Sequence, residues 1–321
     1  MDTKQQLLTL LSKNKDEYLS GEEIAGTLNV SRAAINKAVK ALRAEGNEID
    51  AIRNRGYRLI RSDVINAQAI KELLTTDSTK LSIEVHPTLS STNVTAREKA
   101  GLGASECVII AANQTGGKGR KGRSFYSPQG SGIYMSILLR PHEYSAAKAA
   151  SLTTMAAVAV CEAIEKISDK AAQIKWVNDV FIDGKKVCGI LTEASMDMES
   201  GSLDYAVVGI GINVCPPQGG FPDELKDIAG VIFDEPPFDA KNRIIAEVIN
   251  RFMAFYTAQS TAYVDEYRSR SLAIGKEVLV LGYNTQKKAF ALDVDDDCHL
   301  IVRYKDGKIQ ALSSGEISIR L

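Results

Sequence analysis

Between Ser20 and Ile60 the hydrophobic period of the chain changes, and that change leaves little freedom in how the segment can fold. Ser20 is followed three residues later by Glu23, the spacing of a helix capping box. Ile24, Ala25 and Leu28 share one face of a helix over roughly 21–28. Asn29 tolerates the left-handed conformation that a tight turn needs. Ser31 then opens a further helix carrying Ile35, Val39 and Leu42 at helical spacing. From Ile49 to Ile60 the residues alternate around Asn54-Arg55-Gly56, the signature of a hairpin. With an earlier helix made apolar by Leu7, Leu8, Leu10 and Leu11, the order is helix, helix, turn, helix, hairpin. That order predicts a winged helix-turn-helix over 1–62.

The formal net charge of −1 conceals an uneven distribution. Arg32, Lys37, Lys40, Arg43, Arg53, Arg55, Arg58 and Arg61 face only Glu45, Glu48 and Asp50 in the same stretch, a local excess that favours a polyanionic partner. The five cysteines are scattered and never spaced as CxxC, so neither a disulfide framework nor a zinc site is expected, and a reducing cytoplasm is. Three histidines are too few for a histidine-rich metal centre. No apolar run reaches the ~20 residues of a membrane span, and the charged N-terminus does not read as a signal peptide.

Beyond the wing, residues 62 to about 80 read as a helical connector. The stretch to about 270 mixes strands (CVIIAA, IYMSILL, QIKW, VFI, VCGILTEAS, DYAVVGIGINV) with an alanine-rich buried helix over about 145–167 and helices near 240–258 and 261–270. Asp183-Gly184 is a tight hairpin turn. From Gly275 onward only short strands remain, separated by Gly282-Tyr283-Asn284, Asp306-Gly307 and Ser313-Ser314-Gly315. The fold class is α+β and multidomain: the winged helix at 1–62, a central mixed α/β domain with a mixed sheet at 63–271, and a small C-terminal β-barrel at 272–321.

Four motifs carry chemistry. Gly116 to Arg123 interleaves four glycines with four cations directly after a strand and Gln114-Thr115, so backbone N–H groups can approach an anion that the cations neutralise; phosphate is the natural guest. The embedded Gly117-x-x-x-x-Gly122-Arg123-Ser124 is not a P-loop, because Arg123 stands where the lysine belongs and Ser127-Pro128-Gln129-Gly130 prevents a following helix. Lys175-Trp176-Val177-Asn178-Asp179 precedes a hairpin presenting Lys186 and Gly189; the same residues fit a core indole followed by a turn. Gly209-Ile210-Gly211-Ile212-Asn213 puts glycines inside an apolar strand, which marks close approach of a ligand or another backbone. Ser90-Ser91-Thr92-Asn93 is a polar cluster that by itself would also cap a helix.

In order and over essentially the whole length, these features resemble the biotin protein ligases, in the bacterial class that also represses biotin-synthesis genes. The resemblance rests on the winged helix, the S-T-N cluster, the glycine-basic loop, K-W-x-N-D, K-x-x-G-I, G-x-G-I-N and the terminal GEISIR. It implies two half-reactions: biotin's carboxylate attacks the α-phosphate of ATP to give biotinyl-5′-AMP, and a lysine of a biotin carboxyl carrier protein then displaces AMP. By position, Ser91, Thr92, Asn93 and Gln114 line the biotin end. Lys118, Gly119 and Arg120 close over carboxylate and phosphate, Lys186 meets the reacting carboxylate, and Gly189 lets the ligand pass. Lys118, Arg120 and Lys186 are the catalytic candidates. Arg123, Phe125, Trp176, Asn178, Asp179, Asn213 and Arg320 match the ATP side, with Mg2+ held largely by phosphates.

Two departures from the family pattern stand out. Lys118 replaces a common arginine, weakening a bidentate clamp, and Val177 replaces the usual proline. The resemblance further implies that the adenylate promotes a homodimer whose winged helices grip a palindromic, double-stranded operator. Ser31, Arg32, Asn36 and Lys40 would then lie in the major groove, with Arg53, Arg55 and Arg58 at phosphates or the minor groove. A biotin-sensing repressor without catalysis and a lipoate-protein ligase remain the alternatives.

Overall fold

The computed structural model describes residues 2–15, 17–44, 46–62, 64–75, 78–145, 148–197, 201–281, 286–313 and 315–319. Arg320, Glu45, the Gly282-Tyr283-Asn284 turn and Ser314 lie outside them.

The N-terminal module follows the expected order: α1 (Thr3–Lys13), α2 (Gly21–Leu28), α3 (Arg32–Ala44), then β1 (Glu48–Ile52) paired antiparallel with β2 (Gly56–Arg61). Ser20 and Glu23 form a complete capping box, and Asn29 ends α2 at φ 52°. Ser31 caps α3 by accepting the Ala34 N–H at 3.2 Å. Leu19 exchanges two 2.9 Å backbone hydrogen bonds with Tyr57, adding a third short strand to the wing. Gly56 makes this possible: it sits at φ 110°, and a Cβ there would stand 2.0 Å from the Leu19 carbonyl oxygen. Leu7, Leu11, Ile24, Ile35, Leu42 and Leu59 fill a separate small core.

Among the described residues the connector contains one short helix, α4 (Ala67–Glu72), before β3 (Ser82–His86). Tertiary contacts rather than helix propensity hold it. Asn242 accepts the Asn66 N–H at 2.9 Å and donates to the Val64 carbonyl at 3.1 Å, while Asn250 does the same for Thr75 and Leu73.

The central domain continues with α5 (Thr92–Gly101), β4 (Cys107–Ala111), β5 (Gly132–Leu139), α6 (Ala149–Ser168), β6 (Gln173–Lys175), β7 (Asp179–Ile182), β8 (Lys185–Met196), β9 (Leu203–Asn213), α7 (Ala240–Thr257) and α8 (Tyr263–Ser269). Its seven strands form one mixed sheet in the order β3-β4-β5-β9-β8-β7-β6, parallel only between β3 and β4. Asp183 and Gly184 both take positive φ (49° and 74°), as a two-residue hairpin turn between β7 and β8 requires. Alternation sorts the strands' side chains onto two faces. Val108, Ile137, Val208, Ile210 and Ile190 join the main core with α6 and α7. The opposite face carries α5 over Ile109, Leu138 and Val207, and beside them the glycines of β8 and β9.

The C-terminal module comprises β10 (Glu277–Leu281), β11 (Gln286–Val294), β12 (Leu300–Tyr304), β13 (Ile309–Leu312) and β14 (Glu316–Ile319). They form an antiparallel sheet ordered β13-β12-β11-β10-β14. Among the described residues β13 and β14 are not paired, so where a small barrel was expected the strands form an antiparallel sheet that does not close. No helix, among the described residues, is long and apolar enough to cross a membrane.

Candidate functional site

The register of the central sheet builds the floor of the site. Tyr134 on β5 pairs with Gly211 on β9, Gly211 with Gly189 on β8, and Gly189 with Asp179 on β7; one step along, Ser136 pairs with Gly209 and Gly209 with Leu191. Three glycines therefore lie side by side on one face, and two aromatic or amide groups use the space. The Phe125 ring lies against Gly211, where a Cβ would approach within 2.5 Å of its Cε1, and packs edge-on to Tyr134 at 6.4 Å. Burial pushes the Tyr134 hydroxyl up to about 12, so it stays protonated and donates to the Pro128 carbonyl at 2.8 Å. Asn93 occupies the space over Gly209, where a Cβ would stand 2.0 Å from its Oδ1.

The glycine-basic loop is a folded tongue. Gln114 N donates to Ser127 O, Phe125 N to Gly117 O and Gly119 N to Arg123 O, at 3.1, 2.9 and 2.7 Å. Gly117 is required where the two arms cross, since a Cβ would lie 2.5 Å from the Phe125 carbonyl. At the tip Lys121 and Gly122 both have positive φ. The tongue is tied to the sheet by Arg120, which donates to Asn178 Oδ1 at 3.0 Å, and to the C-terminal module by Glu316, which pairs with Arg123 at 2.9 Å and Lys121 at 3.2 Å. Partial burial would raise the Glu316 carboxyl, but hydrogen bonds from Arg123 and Lys121 outweigh it and hold the group below its ordinary value.

Two adjoining cavities result. One is lined by Ser91, Thr92, Asn93 and Gln114 at its polar end, by Leu191 and Ile210 along its side, and by Lys118 at its mouth. The other is lined by Lys121, Arg123, Lys175, Trp176, Asp179 and Glu316. They share a wall of Gly119, Arg120, Phe125, Asn178 and Lys186. Lys186 Nζ lies 2.7 Å from Asp179 Oδ1. Ser91 precedes α5 but makes no side-chain cap bond, so its position at the cavity is not explained by capping.

Most site residues expected from sequence thus converge, with two qualifications of placement. Trp176 is 3% exposed and its indole N–H donates to the Cys298 carbonyl at 3.0 Å, so it is a core residue joining two modules as well as a cavity wall. Asn213 ends β9 opposite Gly132, outside both cavities. The carbonyl of Val177, where a proline was expected, accepts from Tyr267 Oη at 3.1 Å. Ser136, Glu193, Arg97 and Glu316 were not singled out, and Lys121 only as one cation of the glycine-basic loop. Of the first four, Glu316 alone had a signal, its place in GEISIR.

On the winged helix, Ser31, Arg32, Asn36 and Lys40 are exposed along α3, as are Arg53 and Arg55 in the wing. Asn36 accepts from Tyr57 Oη at 2.6 Å, which orients it from behind. The guanidinium carbons of Arg55 and Arg58 lie 4.9 and 4.6 Å from the Tyr18 ring centre, and Tyr18 donates to Asp50. This is a basic face stiffened by one aromatic ring.

A basic winged helix joined to a domain with two cavities meeting at cationic groups defines a class: a DNA-binding module fused to a two-substrate ligase fold. Residues 85–213 match the biotin/lipoate A/B protein ligase family, 3–58 an HTH domain and 273–320 the biotin protein ligase C-terminal domain. The bifunctional ligase/repressor BirA of Bacillus subtilis is 35% identical over 98% of both chains, and that of Escherichia coli 28% identical over 98% of this chain and 96% of its own. The structure of biotin protein ligase from Aquifex aeolicus in complex with biotin and ATP superposes with TM-score 0.63 at 27% identity, covering 74% of this chain and 98% of that one. The chain belongs to the biotin protein ligase family, among its bifunctional ligase/repressors.

Proposed function

We infer that this protein activates biotin with ATP as biotinyl-5′-AMP, transfers biotin to a lysine of a carboxyl carrier protein, and uses the same adenylate to repress transcription from operator DNA. The observation that carries this reading is the shared wall: a cavity ending in amide and hydroxyl groups and a cavity flanked by Arg123 and Trp176 meet at Arg120 and Lys186. That is where a carboxylate and an α-phosphate must lie together.

In this reading Thr92, Asn93 and Gln114, with Ser91, hold the ureido ring, Gly189 lets the ligand pass close to β8, and Gly211 makes room for the Phe125 ring that packs over it. Lys118, Gly119 and Arg120 cover the carboxylate and phosphate. Lys186 exchanges its Asp179 partner for the reacting oxygens and stabilises charge as the phosphoryl group transfers, the main protein contribution to such a step. Arg123, Phe125, Trp176, Asn178 and Asp179 serve the nucleotide, with Arg320 and Asn213 assigned there by resemblance alone. Among the described residues no group of three or more metal-ligating side chains is present. The described donor set offers Mg2+ no protein cage, and phosphate oxygens and water would hold it, with Asp179 and Glu316 the carboxylates lining that cavity.

Repression uses Ser31, Arg32, Asn36 and Lys40 as major-groove contacts and Arg53, Arg55 and Arg58 at phosphates, in a homodimer formed when the adenylate is bound. The domains divide at 1–62, 63–271 and 272–321, and the reaction belongs to the cytoplasm. The test mixes the full chain with ATP, a carrier domain and either biotin or lipoate, and measures operator binding in parallel. Labelling with biotin and adenylate-dependent operator binding are expected. Labelling with lipoate alone would overturn the substrate, and operator binding that responds to biotin without any labelling would favour a sensor.

A further inference from the structure

Beneath the amide-and-hydroxyl end of the biotin cavity runs an unbroken line of polar side chains, three of which do not line the cavity. Arg97 on α5 pairs with Glu193 Oε1 at 3.1 Å. Glu193 Oε2 accepts from Asn93 Nδ2 at 2.8 Å, and the same amide nitrogen also donates to the Leu191 carbonyl at 3.2 Å. Asn93 Oδ1 lies 2.6 Å from Ser136 Oγ, which in turn lies 2.8 Å from Thr92 Oγ1. Thr92, Asn93 and Ser136 are all buried.

The line has a direction. A carboxylate paired with a guanidinium is ionised and can only accept hydrogen bonds. The Asn93 amide must therefore turn its NH2 toward Glu193, which leaves its oxygen facing Ser136 and taking the single Ser136 proton. The Gln114 amide is fixed as well: its Oε1 accepts the Thr92 backbone N–H at 2.8 Å, and its Nε2 donates to Ser127 Oγ at 3.0 Å. Thr92 then sits between two acceptors, the Ser136 oxygen and Gln114 Oε1 at 3.2 Å. Whichever takes its proton, the Thr92 hydroxyl turns only lone pairs toward the cavity. Gly209 allows no slack, since Asn93 already fills the place its Cβ would need.

We propose that Glu193, held by Arg97, is a positioning residue that sets the hydrogen-bond polarity of this floor, so that the cavity selects a ring bearing N–H donors, such as a cyclic urea, over one without them. The proposal rests on the reading of this cavity as the biotin site. Ordinary sequence proximity hides it: Glu193 is 100 residues from Asn93 and reaches it only through the β8–β9 register.

Glu193→Gln reverses the polarity at Asn93, while Thr92, which can still donate to Gln114 Oε1, keeps its lone pairs toward the cavity. Arg97, a donor only, takes the glutamine oxygen, and the glutamine NH2 then faces Asn93 and forces its amide to flip against the Leu191 carbonyl. The experiment measures pyrophosphate release by the full-length protein with biotin, and with the cyclic carbamate analogue in which ring oxygen replaces one ureido N–H. Expected for Glu193→Gln are a biotin KM raised about 10- to 100-fold, ATP KM and kcat unchanged, and a shrunken preference for biotin over the carbamate. Arg97→Gln, which loosens Glu193 but keeps its carboxylate, should move the preference the same way by less. A Glu193→Gln protein with the wild-type preference overturns the proposal whatever its KM. If that variant loses its melting transition, an unchanged preference in Arg97→Gln overturns it instead. A wild-type protein that adenylates no biotin would overturn the underlying reading of the cavity, and is recognised before any variant is made.

Discussion

Replacing Lys186 by alanine removes the amine at the junction of the two cavities, and the structure sets the scale of the loss. The Asp179 carboxylate, 2.7 Å from Lys186 Nζ, gauges how closely a ligand carboxylate can approach. At an effective dielectric of ~20, a unit charge pair at that distance attracts by about 6 kcal/mol. The two side chains are 29% and 22% exposed, so water screens part of this. A preorganised contact of this kind contributes about 3–4 kcal/mol to a transition state, or a factor of about 10²–10³ in kcat. Removing the amine also leaves Asp179 without its counter-charge, costing about 1–3 kcal/mol of stability. The assay is pyrophosphate release with saturating biotin and ATP, beside a melting curve. Operator binding should fall with adenylate synthesis and return when preformed biotinyl-5′-AMP is supplied. Pyrophosphate release within tenfold of wild type would refute the placement of Lys186 at the reacting oxygens.

Gly56→Ala puts a Cβ against the Leu19 carbonyl at a residue with φ 110°; we expect the winged helix to lose about 2 kcal/mol or more, seen as an earlier melting transition and weakened operator binding with ligase activity intact. Arg32→Ala and Lys40→Ala should each weaken operator binding and, where they meet phosphate, reduce the salt dependence by about one unit of slope; an unchanged slope in both would place α3 away from the backbone. Because hydrogen bonds from Arg123 and Lys121 outweigh burial and hold Glu316 below its ordinary value of 4.5, its contribution to the tongue clasp is fully present above that value and lost as pH falls through the lowered one. Amide exchange at 119–124, corrected for intrinsic rate, should therefore rise in acid and lose that dependence in Glu316→Gln. Opening on raising the pH would contradict the sign.

What could be read from sequence was what local physics encodes. Ser20 with Glu23, Asn29 after α2, the Asp183-Gly184 turn and the alternation of the wing each depend on residues a few positions apart, and each is found where the pattern put it. The glycines at 189, 209 and 211 were legible as places of close approach, but not what approaches: Phe125 from the tongue and Asn93 from α5 arrive there by tertiary packing. Glu193, Ser136 and Arg97 were illegible for the same reason, since ordinary residue types in strands and helices acquire roles only from neighbours 40 to 100 residues away. The connector shows the converse failure. Its sequence allows more helix than forms, and Asn242 and Asn250 on α7 take up the backbone groups that a longer helix would have satisfied internally. The sequence fits Trp176 as either core or site; the structure buries it, bonded to the Cys298 carbonyl, and also places it along the second cavity.

The cationic groups of the shared wall are already partnered: Arg120 by Asn178 and Lys186 by Asp179. Substrate affinity is therefore a difference between two sets of charged contacts, and Asp179 enters that difference twice with opposite sign. While Lys186 stays on Asp179, a biotin carboxylate must displace it, so Asp179→Asn should tighten nucleotide-free biotin binding about two- to fivefold, the worth of a partly exposed ion pair. If Asp179 afterwards serves the nucleotide side, the same substitution should slow pyrophosphate release. Calorimetry of biotin alone, set beside kcat with ATP, separates the effects. Weaker biotin binding in Asp179→Asn would show that the carboxylate positions Lys186 for its ligand rather than competing with it.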